Sequence, residues 1–122
     1  IILNAMSIDT MADFYHAATG LEITAKEMLR AGRRIWNLEK TWLSMQGQSR
    51  KDDGLPERAY HEKYETFGGT YAPMKREVYE SLLTKYYESE GWDSQTGVPR
   101  PETLEGLDLY EPAARIRELT HQ

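Results

Sequence analysis

The chain has no cysteine, which removes disulfides, thiolate catalysis and thiolate ligation of zinc or an iron–sulfur cluster by these residues alone. It has no long hydrophobic run either. The opening IILNAM is apolar over six residues and gives way at once to Ser7 and Asp9, so it is neither a membrane span nor a secretory signal. Positive charge is in the minority: 15 basic residues against 20 acidic ones give a net charge of -5, which opposes binding to a phosphate backbone. No nucleic-acid partner and no membrane are expected. Nothing favours secretion, and the expected location is cytoplasmic.

What is present suits one folded domain. The 122 residues, 39% hydrophobic and 29% charged, allow a modest core, and eight tyrosines and three tryptophans supply large amphipathic side chains. A chain that begins with isoleucine and has its first methionine at position 6 reads as trimmed, tagged or cut from something longer. Residues 1–6 are therefore set apart as a tag, linker or trimmed upstream segment, and residues 7–120 are read as a single helical domain.

Ser7 is placed to cap a short helix carrying Ile8, Met11, Phe14 or Tyr15 and Ala18 at helical spacing, with Gly20 as its stop. Thr24 and Glu27 have capping-box spacing, and a long helix follows to about Gly47. On it Met28, Ile35, Leu38, Trp42 and Met45 lie close to one face, and Leu29, Trp36 and Leu43 widen the stripe, as burial against several helices requires. A third helix is predicted from about Lys75 to Glu90, with Val78, Leu82 and Tyr86 on one row and Tyr79, Leu83 and Tyr87 beside it. Gly91 ends it, and Trp92 is placed to fold back onto its last turn. Pro101 opens a short helix that stops near Gly106, and Glu111-Pro112 opens a last one with Ala113, Ile116 and Leu119 on its apolar side.

Between Gln48 and Pro73 the periodicity breaks at Gly54-Leu55-Pro56, Gly68-Gly69 and Pro73. So long a stretch without regular structure is unusual in a compact domain, so part of it is expected to be helical, near Glu57 to Tyr64, or to lie on a partner surface. No run shows sustained strand alternation. The fold class is all-α: an irregular helical bundle with one long ordered connection.

Reactive constellations are scarce. His16, His61 and His121 have no HExxH pattern and no companion with metal-site spacing. Asp52 and Asp53 are adjacent and lack the opposed geometry of an acid–base pair, so RKDDGLPER reads as an acidic loop that caps backbone amides or pairs with Arg50, Lys51 and Arg58. Gly68-Gly69-Thr70 lacks the lysine and strand-to-helix context of a phosphate loop and reads as a flexible turn. Arg30, Arg33, Arg34 and Lys40 give the long helix a basic side, interrupted by Glu27 and Glu39, that reads as an ion-paired solvated face. The tyrosines of YESLLTKYYESEGW read as core and interface.

Several separated motifs occur in one order: Ala17-Ala18-Thr19-Gly20, then Gly32-Arg33-Arg34-Ile35-Trp36-Asn37-Leu38-Glu39-Lys40 and Gly47. Arg50 to Arg58 follow, then Tyr86-Tyr87-Glu88-Ser89-Glu90-Gly91-Trp92-Asp93 and Thr96-Gly97-Val98-Pro99. Together, over most of residues 8 to 109, they resemble the C-terminal helical region of the tungsten-containing aldehyde:ferredoxin oxidoreductases.

That resemblance implies a parent enzyme oxidising aldehydes to carboxylates at a tungsten ion held by paired pterins, with electrons leaving through a [4Fe–4S] cluster to ferredoxin. It also implies that this chain binds no cofactor alone and has the N-terminal and central parts of the parent as partners. Arg50, Asp52, Asp53 and Arg58 are then the candidates for fixing the helical domain against the cofactor-bearing part. Two other classes are weighed beside it. One is a free-standing helical protein-interaction domain using the tyrosine and tryptophan stripes, and the other, opposed by charge, is a nucleic-acid module.

Overall fold

A computed structural model describes residues 6–120. The tag or linker reading of the first residues and the reading of His121 fall almost wholly outside that range, Met6 being the exception. Among the described residues six α-helices and one small hairpin follow in order: α1 (Ile8–Thr19), α2 (Ala25–Met45), α3 (Arg58–His61), β1 (Tyr64–Thr66), β2 (Gly69–Tyr71), α4 (Arg76–Glu90), α5 (Pro101–Glu105) and α6 (Tyr110–Thr120).

Local chemistry sets the helix ends. The Ser7 hydroxyl accepts from the Thr10 amide at 3.1 Å, and α1 stops at Gly20, whose φ is 74°. The Thr24 hydroxyl accepts from the Glu27 amide at 3.2 Å while the Glu27 carboxylate accepts from the Thr24 amide at 2.8 Å, completing the capping box. Pro101 sits in the first turn of α5, where its missing N–H has no helical partner to lose.

The stretch expected to be helical from Glu57 to Tyr64 is helical for one turn only, Arg58–His61. From Tyr64 the chain forms an antiparallel hairpin instead, with Tyr64 opposite Tyr71, Glu65 opposite Thr70 and Thr66 opposite Gly69. Two causes are visible. The Tyr64 and Tyr71 rings stack at 5.1 Å, and the Thr66 hydroxyl accepts from the Gly68 amide at 3.1 Å across the tight turn. Strands of three residues are too short for alternation to register. The all-α class holds, with this exposed hairpin as an addition.

The apolar core lies toward the C-terminal end, where Leu104, Leu107, Leu109, Ala113 and Ile116 pack together with Val98 against them. Helices α5 and α6 form this corner, and α2 packs on α6 and α1. A second cluster is aromatic: Trp92 folds back onto the end of α4, its amide donating to the Tyr87 carbonyl at 2.8 Å and its ring 5.8 Å from that of Tyr87. Trp36 and Tyr86 complete the group, 5.9 and 5.7 Å from Trp92.

Two glycines are required here. Gly91 ends α4 with φ 74°, and a Cβ on it would lie 2.3 Å from the Thr103 hydroxyl, which donates to the Gly91 carbonyl at 2.6 Å. Gly97, also at φ 74°, lets the turn approach Tyr87 so closely that a Cβ would stand 2.9 Å from the ring.

Candidate functional site

The charged loop is bound inward by two of its four candidate residues. Asp53 follows a turn of 3-10 helix over Arg50–Asp52, and its carboxylate accepts from Lys40 at 2.6 Å, from Gln48 at 3.0 Å and from the Tyr87 hydroxyl. The Tyr79 hydroxyl donates to the Asp53 backbone carbonyl. One residue thus joins α2, the loop and α4. Lys40 is almost wholly buried, with 4% of its side chain exposed, and its ammonium lies 5.4 Å from the Trp92 ring centroid.

Burial pushes the Asp53 carboxyl up, but hydrogen bonds from Lys40 and Tyr87, the Lys40 charge and the Gln48 amide outweigh it, leaving Asp53 below the ordinary carboxylate value. Tyr87 is pushed well up, first by burial and then by its bond to the Asp53 carboxylate, so it stays a hydroxyl donor.

Arg50 is the second tie. Its guanidinium meets the Glu80 carboxylate at 2.6 Å, donates to the Glu80 carbonyl at 2.9 Å and to the Ser94 carbonyl at 2.7 Å, and lies over the Tyr87 ring at 5.5 Å. Its backbone amide donates to the Thr96 carbonyl at 2.8 Å. That turn is itself fixed by Asp93, whose carboxylate accepts from the Gln95 and Thr96 amides at 3.1 and 2.8 Å.

Asp52 and Arg58 are not part of this network. Asp52 is exposed and accepts from the Ser49 amide at 2.9 Å, the capping role expected of an acidic loop residue. Arg58 is exposed, and its side chain makes no hydrogen bond or ion pair among the described residues. The expected pairing of the acidic pair with Arg50, Lys51 or Arg58 is replaced by Lys40, because the loop folds back over α2.

The basic side of α2 is ion-paired and solvated at its arginines, as expected, whereas Lys40 is buried. Arg30 donates to the Gly106 carbonyl at 3.1 Å and pairs with Asp108 at 2.8 Å. Arg34 donates to the Leu107 carbonyl and lies 3.6 Å from Asp108, and Arg33 lies 3.8 Å from Glu90. Arg30 and Arg34 satisfy carbonyls left bare where α5 ends, a demand periodicity does not express.

Asn37 was missed. It is fully buried, and its side-chain carbonyl accepts from the Trp92 indole at 2.9 Å. The available signal was a row of Asn37, Lys40, Thr41 and Ser44 at helical spacing opposite the apolar stripe, together with a tryptophan N–H in need of an acceptor.

These four are the buried residues of α2, and all four are polar or charged. The apolar stripe that should be buried faces outward: Ile35 is 60% exposed, Trp42 62% and Leu38 49%. Leu29, Trp36, Leu43 and Met45 are exposed beside them, as are Val78, Leu82 and Tyr86 on α4. Leu38, Trp42 and Met45 with Pro112 and Arg115 of α6 line an open groove of about 530 Å³.

No acid–base pair faces this groove. Among the described residues no three His, Asp or Glu side chains converge as metal ligands, and the sequence has no cysteine. The described residues therefore supply no ligand cluster for a metal ion by themselves. What the arrangement does is hold two helices and a loop in register while presenting an apolar surface.

Fold and site together define a mostly helical domain built around a central helix with a polar inner face and an apolar outer one. The chain belongs to the aldehyde ferredoxin oxidoreductase family: residues 2–109 match the family described as "Aldehyde ferredoxin oxidoreductase, domains 2 & 3". It is 30% identical over 109 residues to the tungsten-containing aldehyde ferredoxin oxidoreductase of Pyrococcus furiosus, covering 87% of this chain and 17% of that protein. The Thermococcus kodakarensis enzyme of the same name gives the same figures.

An aliphatic sulfonate oxidoreductase, WOR-like subunit, of Pyrococcus furiosus is 30% identical over 117 residues, 91% of this chain and 18% of that one. The chain thus spans about a sixth of the length of the relatives it matches. In fold it is similar to a chain of the active site complex BamBC of benzoyl coenzyme A reductase in complex with 1,5-dienoyl-CoA. The TM-score is 0.76 at 22% identity, over 96% of this chain and 16% of that one.

Proposed function

We propose that this chain serves as the C-terminal helical part of a tungsten- and pterin-dependent oxidoreductase that converts an aldehyde and water to a carboxylate. The electrons leave through a [4Fe–4S] cluster in the rest of the enzyme to ferredoxin. The chain's own part is to help enclose the cofactor and substrate cavity, with the metal chemistry carried by other residues of the enzyme, in the cytoplasm. Arg50 and Asp53 hold the loop in shape, and Asp52 and Arg58 remain available at its surface to position the domain against the cofactor-bearing part.

The observation that carries this reading is the inverted α2. A helix with Asn37, Lys40, Thr41 and Ser44 inside and Ile35, Leu38 and Trp42 outside suits the middle of a larger body, and the match covers only 17% of a relative's length. The test is reconstitution: this chain is combined with the rest of its oxidoreductase, loaded with cofactor, and aldehyde-dependent reduction of an electron acceptor is followed. Turnover that needs the chain supports the reading; full turnover by the loaded remainder without it overturns it.

A second reading, a free-standing helical interaction domain, is favoured by one feature. Among the described residues no buried side-chain nitrogen or oxygen lacks a hydrogen-bond partner, as a self-sufficient fold requires. Isolation from its native source as a particle of this chain alone would select it.

A further inference from the structure

Leu38, Trp42 and Met45 form one helical row on α2, and the groove they share with α6 continues into a second of about 560 Å³ over Leu38, Glu39, Trp42 and Leu43. Leu38 and Trp42 line both, so the two are halves of one trough. Its floor is apolar and its rim is mixed: Glu39 on one side, and on the other Glu111 and Arg115, which lie 3.9 Å apart. A row at this spacing is the ridge that a second helix packs against, and a rim with both signs of charge selects an amphipathic helix over a strongly charged one.

We infer that this trough is the seat of an amphipathic helix from the part of the same oxidoreductase that this chain does not match. Trp42 is the central anchor and Leu38 and Met45 flank it. The inference rests on the reading proposed above and gives that reading a surface.

Two observations favour this occupant over a second copy of the chain. The chain accounts for only 17% of its relatives' length, so most of the enzyme remains to cover it. The exposed large apolar side chains also extend beyond α2 to Phe14 on α1 and to Val78 and Leu82 on α4. A two-fold pairing through one face leaves the others bare, whereas a larger body covers several together.

Hydroxyl-radical footprinting of the native enzyme and of the isolated 122-residue chain tests it by reading the oxidation rates of Trp42 and Met45 directly. Both are expected to be oxidised roughly tenfold more slowly in the enzyme, as anchors in a closed interface are. Trp42→Asp is expected to leave the circular dichroism and melting of the isolated chain nearly unchanged, since the side chain is 62% exposed, while sharply lowering the yield of assembled enzyme.

Equal oxidation rates in the two samples, or normal assembly of Trp42→Asp, overturn the inference and leave the proposed function standing. A dimer of the isolated chain in sedimentation that Trp42→Asp dissolves, with no protection in the enzyme, assigns the trough to a second copy and overturns it as well. Native isolation of the chain without any larger oxidoreductase sinks both.

Discussion

At the scale of single residues, Asp53 is the joint on which α2, the loop and α4 converge, and its charge is what makes the joint strong. Replacing it by asparagine keeps the shape but leaves Lys40, 4% exposed, without its counter-charge. Asp53→Asn is therefore expected to destabilise the chain by about 2–4 kcal/mol at neutral pH, read from urea unfolding. The sign of the pH dependence follows from the lowered carboxyl: the stabilisation is complete above the unfolded value of about 3.9 and is lost as pH falls through the lower folded value. The gap in melting temperature between the native chain and Asp53→Asn should thus hold from neutral pH to about pH 5 and close on further acidification. A gap that widens in acid would contradict the assignment. Asp52→Ala and Arg58→Ala make a second, contrasting pair. Both sit outside the network, so the isolated chain should lose no more than about 1 kcal/mol for the first, a cap, and about 0.5 kcal/mol for the second. If Arg58 positions the domain, Arg58→Ala shows its effect only in affinity for the rest of the enzyme, in a salt-dependent way.

At the scale of elements, α1, α2, α4, α5 and α6 were legible because their caps, periodicity and stop residues agree with one another. The Ala113 and Ile116 side that α6 buries was legible too, but the side that α2 buries was not. Periodicity marks the apolar face of α2 but cannot say whether its cover lies in this chain, and here the chain uses the polar face instead, through Asn37, Lys40, Thr41 and Ser44. The hairpin was hidden because three-residue strands carry no alternation and Gly68-Gly69 reads only as a turn. In the loop, RKDDGLPER announced itself as a special segment, yet the partners of Asp53 come from positions 40, 48, 79 and 87, separations that no local pattern encodes. The glycines of the Gly91-Trp92-Asp93 and Thr96-Gly97 motifs gain a physical reason in return. Gly97→Ala must accept a left-handed backbone and a Cβ 2.9 Å from the buried Tyr87 ring, so a loss of about 2–4 kcal/mol is expected, with the Arg50 and Asp53 contacts to α4 loosened together. Hydrogen exchange should show it as lost protection shared by α4 and the loop, whereas a loss confined to residues 93–98 would mean the turn is independent of the joint.

At the scale of the whole molecule, the chain divides its side chains in an unusual way: among the described residues every buried polar side-chain atom has a partner while several of the largest apolar groups remain in solvent. The first property closes the interior, and the second leaves an apolar surface in water. The same substitution should then have opposite weights in the two settings. Leu82 on α4 is 54% exposed in the chain alone, so Leu82→Gln should change the stability of the isolated chain by no more than about 0.5 kcal/mol and reduce its tendency to self-associate. If the rest of the proposed oxidoreductase covers the row of Val78, Leu82 and Tyr86, the same change puts an amide into an apolar contact and should weaken assembly by about 2–3 kcal/mol. Thermal inactivation of the enzyme, set beside melting of the isolated chain, separates these outcomes. Equal and small effects in both settings would mean that the α4 row stays in water and that only α2 meets the rest of the enzyme. A large effect in the enzyme alone would extend the covered surface across both helices and make the Trp36–Tyr86 contact that joins them, 2.7 Å from indole nitrogen to hydroxyl, part of the interface as well as of the fold.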